Sequence, residues 1–129
     1  MIPLCLDQGV GVIPWSPLAR GTLAGNVSPG GEKHTTRAKT DTFPDGSYDH
    51  PSDVAVVDQL TKVATQRGVS NAQVALAWLL HQPSVIAPII GATKIDHIDG
   101  AIAALSLSLD ADEMKRLEEH YLPHRIHGH

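Results

Sequence analysis

The chain has 129 residues, ten Lys plus Arg against fourteen Asp plus Glu, for a formal charge of -4 with its eight histidines neutral. That length holds one domain with a real core, and a composition of 42% hydrophobic and 19% charged residues argues against intrinsic disorder. A weak acidic excess without a Lys/Arg cluster argues against nucleic acid or an anionic membrane as the main partner. The single Cys5 excludes an internal disulfide. The longest apolar stretches, at 74–80 and 85–90, are too short to span a bilayer, and the start shows no signal-peptide pattern, so the expected compartment is the cytoplasm.

In chain order, Ile2-Pro3-Leu4-Cys5-Leu6-Asp7-Gln8-Gly9 reads as the last turns of a helix closed by Gly9, with Cys5 expected as a small buried hydrophobe. Residues 10–15 (Val-Gly-Val-Ile-Pro-Trp) form a non-alternating apolar run, the pattern of a strand buried on both faces. Pro14 removes a ladder donor and Ser16-Pro17 ends the strand. Glycine, proline and polar residues dominate 18–51, with turn signals at Pro29-Gly30-Gly31 and Pro44-Asp45-Gly46. A connection of that length suits a functional lid or a disordered span.

Helical spacing returns at Ser52 with Val54, Val57, Leu60, Val63 and Ala64, and Gly68 terminates the helix. Ser70 and Gln73 make a capping box, with Val69 and Val74 as a staple across it. The helix behind them is apolar on nearly every side and predicts deep packing. Residues 84–90 form a second β-branched run with an embedded Pro88. A helix follows with Ile95, Ile98, Ala101, Ile102 and Leu105 on its apolar stripe. Asp110 and Glu113 cap a last helix expected to bury Met114, Leu117 and Tyr121, before a tail at 123–129.

Two buried strands separated by helices are parallel-sheet material, because a parallel pair needs a long crossover. Two strands alone leave unpaired edges and bare faces. These lack the charged look of natural edge strands, so the expectation is a piece of a larger α/β barrel, with a weak or absent cooperative unfolding transition of its own.

Three motifs then carry a resemblance. Val12-Ile13-Pro14-Trp15-Ser16-Pro17-Leu18-Ala19-Arg20-Gly21 resembles the strand-seven segment of the aldo-keto reductase superfamily. Gln73-Val74-Ala75-Leu76-Ala77-Trp78-Leu79-Leu80 is similar to the helix that follows it there, and Ala87-Pro88-Ile89-Ile90-Gly91-Ala92-Thr93-Lys94 to the strand-eight cofactor segment. The resemblance runs in order over residues 1–122. Its nearest flavour is the bacterial branch related to potassium-channel β subunits. It implies an incomplete (β/α)8 TIM barrel, whose full form needs about 250 residues. Strands seven and eight with the C-terminal helices would be present.

The resemblance also implies roles. Trp15 matches the aromatic that stacks on a nicotinamide ring, a core tryptophan being the plain alternative. Ser16, Pro17, Leu18 and Gly21 match the turn that wraps the pyrophosphate through backbone groups. Arg20 either adds charge there or is a solvated loop residue. Ile90 and Gly91 lead into Thr93 and Lys94, which match the contacts to the 2′-phosphate of NADP(H). Independently, Gly91-Ala92-Thr93 precedes a helix whose free N–H groups favour an anion. His97 takes the place of a residue flanking the adenine, with a solvent-facing histidine as the alternative. The chain departs from the family at Gly100-Ala101, where relatives often carry Glu-Asn, which implies a weakened grip on the adenine.

The family's catalytic Asp, Tyr, Lys and His find no matching motif, and Tyr48 and Tyr121 lie outside that context. The resemblance implies that the whole protein reduces aldehydes or ketones as small-molecule substrates. This chain alone is expected to be inactive, with the missing N-terminal half as a possible partner. The alternatives are a non-catalytic nucleotide-binding or interaction module, and an inert truncated fragment. His124, His127 and His129 resemble a metal tract but sit in the tail without supporting residues, so no metal site is expected.

Overall fold

The computed structural model of the protein describes residues 1–26, 39, 48 and 50–123. Most of the long connection expected at 18–51, with both its turn signals, and the tail histidines His124, His127 and His129 lie outside the described residues. The described elements are α1 (Ile2–Asp7), a 3-10 turn (Ala19–Gly21), α2 (Pro51–Arg67), α3 (Asn71–Leu80), α4 (Ile95–Ala104) and α5 (Ala111–Glu118).

Their ends follow from local chemistry. Gly9 closes α1 at φ +64°, and the Val10 amide donates to the Cys5 carbonyl at 2.8 Å, as the terminal glycine predicts. Cys5 is half-exposed rather than buried, because no residue of α1 is buried. In α2, Pro51 occupies the first turn, where its missing N–H costs nothing, and the His50 ring Nδ1 accepts from the Ser52 amide at 3.2 Å. Gly68 ends that helix at φ +67°. Both capping boxes are formed. Ser70 Oγ accepts from the Gln73 amide and Asp110 Oδ1 from the Glu113 amide, while Gln73 and Glu113 return the bond to the cap amides.

The core lies between α2, α3 and α5. Leu60, Val63 and Ala64 of α2 pack with Val74, Ala75 and Ala77 of α3 and with Leu109 and Leu117. Packing of α3 is one-sided toward its C-terminus, since Trp78, Leu79 and Leu80 are only half-buried. Trp78 Nε1 reaches Glu118 Oε1 at 2.9 Å and ties the edge of α3 to α5. Tyr121, expected on the buried face of α5, stands past the helix end and is 61% exposed.

Glu113 does two jobs at once. Besides capping α5, its carboxylate accepts from Arg67 Nε and Nη2, each at 2.6 Å, and Arg67 Nη2 also reaches the Ser108 carbonyl at 3.0 Å. The bidentate fork holds the last turn of α2 to the first turn of α5. Hydrogen bonding from Arg67, aided by the Asp110 amide and by the charges of Arg67 and Arg116, outweighs burial and pulls the Glu113 carboxyl from 4.5 to about 2.

The two expected strands meet as isolated parallel bridges, Val12 with Val85 and Trp15 with Ile89, among the described residues. Val12 donates to the Ser84 carbonyl and accepts from the Ile86 amide, at 2.8 and 3.0 Å, as in a regular parallel ladder. The next ladder residue, 14, would donate to Ile86 and accept from residue 88. Both are prolines, Pro14 and Pro88, and neither has an N–H. The pairing slips by one residue, and the Pro14 carbonyl accepts from Ile89 at 2.8 Å instead. Among the described residues the two expected strands therefore meet only as two bridges, with Pro14 and Pro88 standing where the ladder would continue.

Two outcomes follow. Leu60→Ala, at a site 3% exposed, lowers stability by about 2–5 kcal/mol in urea unfolding. The Glu113 contribution, from a lowered carboxyl, is complete above about pH 4.5 and is lost as the pH falls toward 2. Glu113→Gln therefore has a lower unfolding midpoint at neutral pH, and its midpoint falls less steeply with acid than that of the parent.

Candidate functional site: two loops leaving one end of a parallel pair

Because the pairing is parallel, the segments that follow Trp15 and Ile89 leave from the same end. Every residue singled out from the sequence as a cofactor contact lies on one of these two segments or at the pair itself.

On the first segment, Trp15 is bridged through its backbone while its side chain is 72% exposed, so it is not a core tryptophan within this chain. The backbone then enters the left-handed region repeatedly, at Ser16 (φ +53°), Ala19 (φ +47°), Arg20 (φ +56°) and Gly21 (φ +99°). For residues other than glycine this costs about 1–2 kcal/mol each. Short bonds close the turn: Ala19 N to Ser16 O at 3.0 Å, Gly21 N to Leu18 O at 2.9 Å and Asn26 N to Gly21 O at 2.9 Å. Leu18 and Leu23 pack against the core and anchor the strained stretch from below. Leu18 thus contributes its side chain to packing and its backbone to the turn. Pro17 is half-buried and Arg20 exposed.

On the second segment, Ile90 is 40% exposed and Gly91, Thr93, Lys94 and His97 are exposed. Lys94 is the N-cap of α4 in extended geometry, with no side chain satisfying the first amides of the helix. Those amides and the helix dipole favour an anion, whereas Asp96 in the same turn opposes one. Lys94 is then the cation on which attraction depends. The His97 amide bonds back to the Lys94 carbonyl at 3.2 Å, inside the first turn. Gly100 and Ala101, the departure from the family pattern, are half-buried.

One residue escaped the sequence reading. A Cβ at Gly11 would collide with the Ile86 side chain, so glycine lets the two segments approach at the start of the pair. The signal was a glycine inside a β-branched run. Among the described residues no group of three His, Cys, Asp or Glu is placed to hold a metal ion.

The sequence and the fold both have relatives among known proteins. The profile of the Aldo/keto reductase family matches residues 1–122. The chain is 43% identical over 130 residues to a versiconal hemiacetal acetate reductase of Aspergillus parasiticus, covering 98% of this chain and 37% of that protein. It is 38% identical to a putative aryl-alcohol dehydrogenase of Schizosaccharomyces pombe, covering 99% of this chain and 38% of the relative. The chain thus spans little more than a third of the curated relatives it matches. Among solved structures, a glycerol dehydrogenase of Gluconobacter oxydans superposes with a TM-score of 0.69 at 26% identity, over 93% of this chain and 36% of that one. A thermostable aldo-keto reductase superposes with a TM-score of 0.61 at 24% identity, a likeness of fold.

The turn after Trp15 is tested by paired substitutions. Gly21→Ala lowers thermal stability by about 1 kcal/mol or more, because φ is +99° and Asn26 stands 3.1 Å from the added Cβ. Ala19→Gly relieves strain against a smaller unfolded-state penalty, so its stability in thermal unfolding is unchanged or raised, by up to about 1 kcal/mol.

Proposed function

The chain belongs to the aldo/keto reductase family, and from that premise we propose that it is the C-terminal, cofactor-holding part of an NADP(H)-dependent oxidoreductase acting on aldehydes or ketones. The observation that carries the reading is that an exposed Trp15, a strained turn and an uncapped helix start all follow one parallel pair at the same end. The resemblance of the three motifs supports the C-terminal placement and the kinship with the channel β-subunit branch.

The residues present fit the cofactor. Trp15 offers an open indole face on which a nicotinamide ring stacks. Ser16, Pro17, Leu18, Arg20 and Gly21 form a turn that brings backbone close to a pyrophosphate. Ile90 and Gly91 leave room beside that path, since nothing lies within 4 Å of a Cβ at Gly91. Thr93 donates its hydroxyl and Lys94 its charge to a 2′-phosphate at the start of α4. His97, one turn on, flanks the adenine. When bound, NADPH supplies the hydride, and the proton donor comes from a part of the protein outside this chain. The reductase and alcohol dehydrogenase names of the relatives support carbonyl reduction or its reverse.

Titrating the chain with NADPH tests the reading through tryptophan fluorescence. Quenching is expected, and Trp15→Leu removes most of it while Trp78 continues to emit. Lys94→Ala weakens NADPH about tenfold, the loss of one charge-assisted bond, and leaves NADH unchanged. Equal binding of NADH and NADPH by the parent chain overturns the 2′-phosphate assignment. Quenching that survives Trp15→Leu overturns the stacking.

A further inference from the structure

At the C-terminal end of α3 one imidazole ties separate parts of the chain together. His81 is the C-cap of α3, and both of its ring nitrogens meet backbone. Nδ1 stands 2.7 Å from the Ala77 carbonyl oxygen, and Nε2 stands 3.4 Å from the Leu109 amide nitrogen. A carbonyl only accepts and an amide N–H only donates, so the two contacts fix where the ring carries its proton. Nδ1 holds the hydrogen and donates to Ala77, while bare Nε2 accepts from Leu109. That is the neutral ring, in the tautomer that free histidine favours less. The residue is exposed, so protons reach it from solvent.

The ring joins the turn from α3 into the paired segment to the return from α4 into α5. Ser84 follows shortly after His81, and its carbonyl accepts from the Val12 amide at 2.8 Å. The link between them is closed: Gln82 N donates to Leu79 O at 3.1 Å and Val85 N to Gln82 O at 3.0 Å. On the other side, Leu109 is buried in the core cluster and directly precedes Asp110, the cap of α5.

His81 titrates in otherwise uncharged surroundings along the chain. No other titratable side chain lies in α3, in 82–90 or in 105–109. The charged groups flanking these stretches are Asp99 of α4, Glu118 on Trp78 Nε1, and Asp110, Asp112 and Glu113 at the start of α5, with Arg67 from α2. Asp110 is occupied by the Glu113 amide, and Glu113 by the Arg67 fork. A proton on Nε2 turns that acceptor into a donor aimed at the Leu109 N–H, and the bond is lost. The Ala77 bond survives, and the new charge sits at a helix C-terminus, where the dipole favours it. The two effects oppose each other, so the proton changes what His81 holds more than how stable the fold is.

We propose that His81 is a proton-controlled clasp between the end of α3 and the 105–109 stretch. It is closed on the Leu109 amide when the ring is neutral and open when the ring is charged. Histidine changes charge between about pH 5 and 8, so the clasp works in that range. The proposal rests on neither the family membership nor the cofactor assignment.

Nuclear magnetic resonance of the 129-residue chain tests it. At about pH 8 the His81 ring nitrogens report a protonated Nδ1 and a bare Nε2. Lowering the pH to about 5 reduces protection of the Leu109 amide, corrected for intrinsic exchange, about threefold or more and in step with the His81 titration. Protection of the Val63 and Val74 amides in the core changes less. In His81→Leu the Leu109 amide is weakly protected throughout, and the dependence on pH disappears. Should that variant fail to fold, the tautomer and the Leu109 protection of the parent decide alone. Three results overturn the proposal: a ring protonated at Nε2 at the upper pH, Leu109 protection indifferent to pH in the parent, or a dependence on pH that survives in His81→Leu. The last result assigns the effect to another histidine, such as His120 beside Gln59 and Glu119.

Discussion

The arrangement of the candidate site depends on the pairing of residues 12–15 with 85–89. Three backbone bonds and a glycine hold two segments that lie some seventy residues apart in sequence, with α2 and α3 between them. Because the pairing is parallel, it sends the two segments that carry the candidate site out of one end, which an antiparallel pair would not do. The prolines that interrupt the ladder stand at the last residues of each segment. They remove two bonds at the place where the chain must leave the sheet, so the loss of regularity coincides with the start of the turn after Trp15 and the approach to Gly91.

The helices hold that pair in place by a separate route. Core packing of α2 against α3, with the Arg67–Glu113 fork fastening α5, builds a helical layer that depends on few side chains of the paired segments. Leu18 and Leu23 are the exceptions. They reach from the strained turn into that layer and transmit its rigidity to the loop. A left-handed run at Ser16, Ala19 and Arg20 persists because it is closed by its own hydrogen bonds and anchored beneath, not because any single residue prefers it.

Helix termini were the most legible part of the sequence. The box at Ser70 and Gln73, the box at Asp110 and Glu113, and the glycines at 9 and 68 are local devices whose geometry needs only residues a few positions apart. The strands were legible as apolar runs but not as bridges, because the slip depends on two prolines in segments seventy-odd residues apart, and no local rule aligns them. Cys5 and Tyr121 were misjudged for one reason: their apolar character predicts burial only if a partner surface lies within the chain. The positions of Trp15, Thr93 and Lys94 were legible from motif order. Their exposure was not, since it depends on what covers the end of the pair.

That same point orders the exposed residues. Large apolar side chains stand open on α1, on both paired segments and along α4, while α2, α3 and α5 share a buried cluster. A domain that completes its own core hides its sheet faces first, because a sheet element has two faces and a surface helix one. Here the order is inverted. The helices are covered on their inner side, and the paired segments, with Ile13, Trp15, Ile86 and Ile89 each more than half exposed, are not. Trp15 stands at the edge of that open surface, where the backbone of the paired segment gives way to the strained turn.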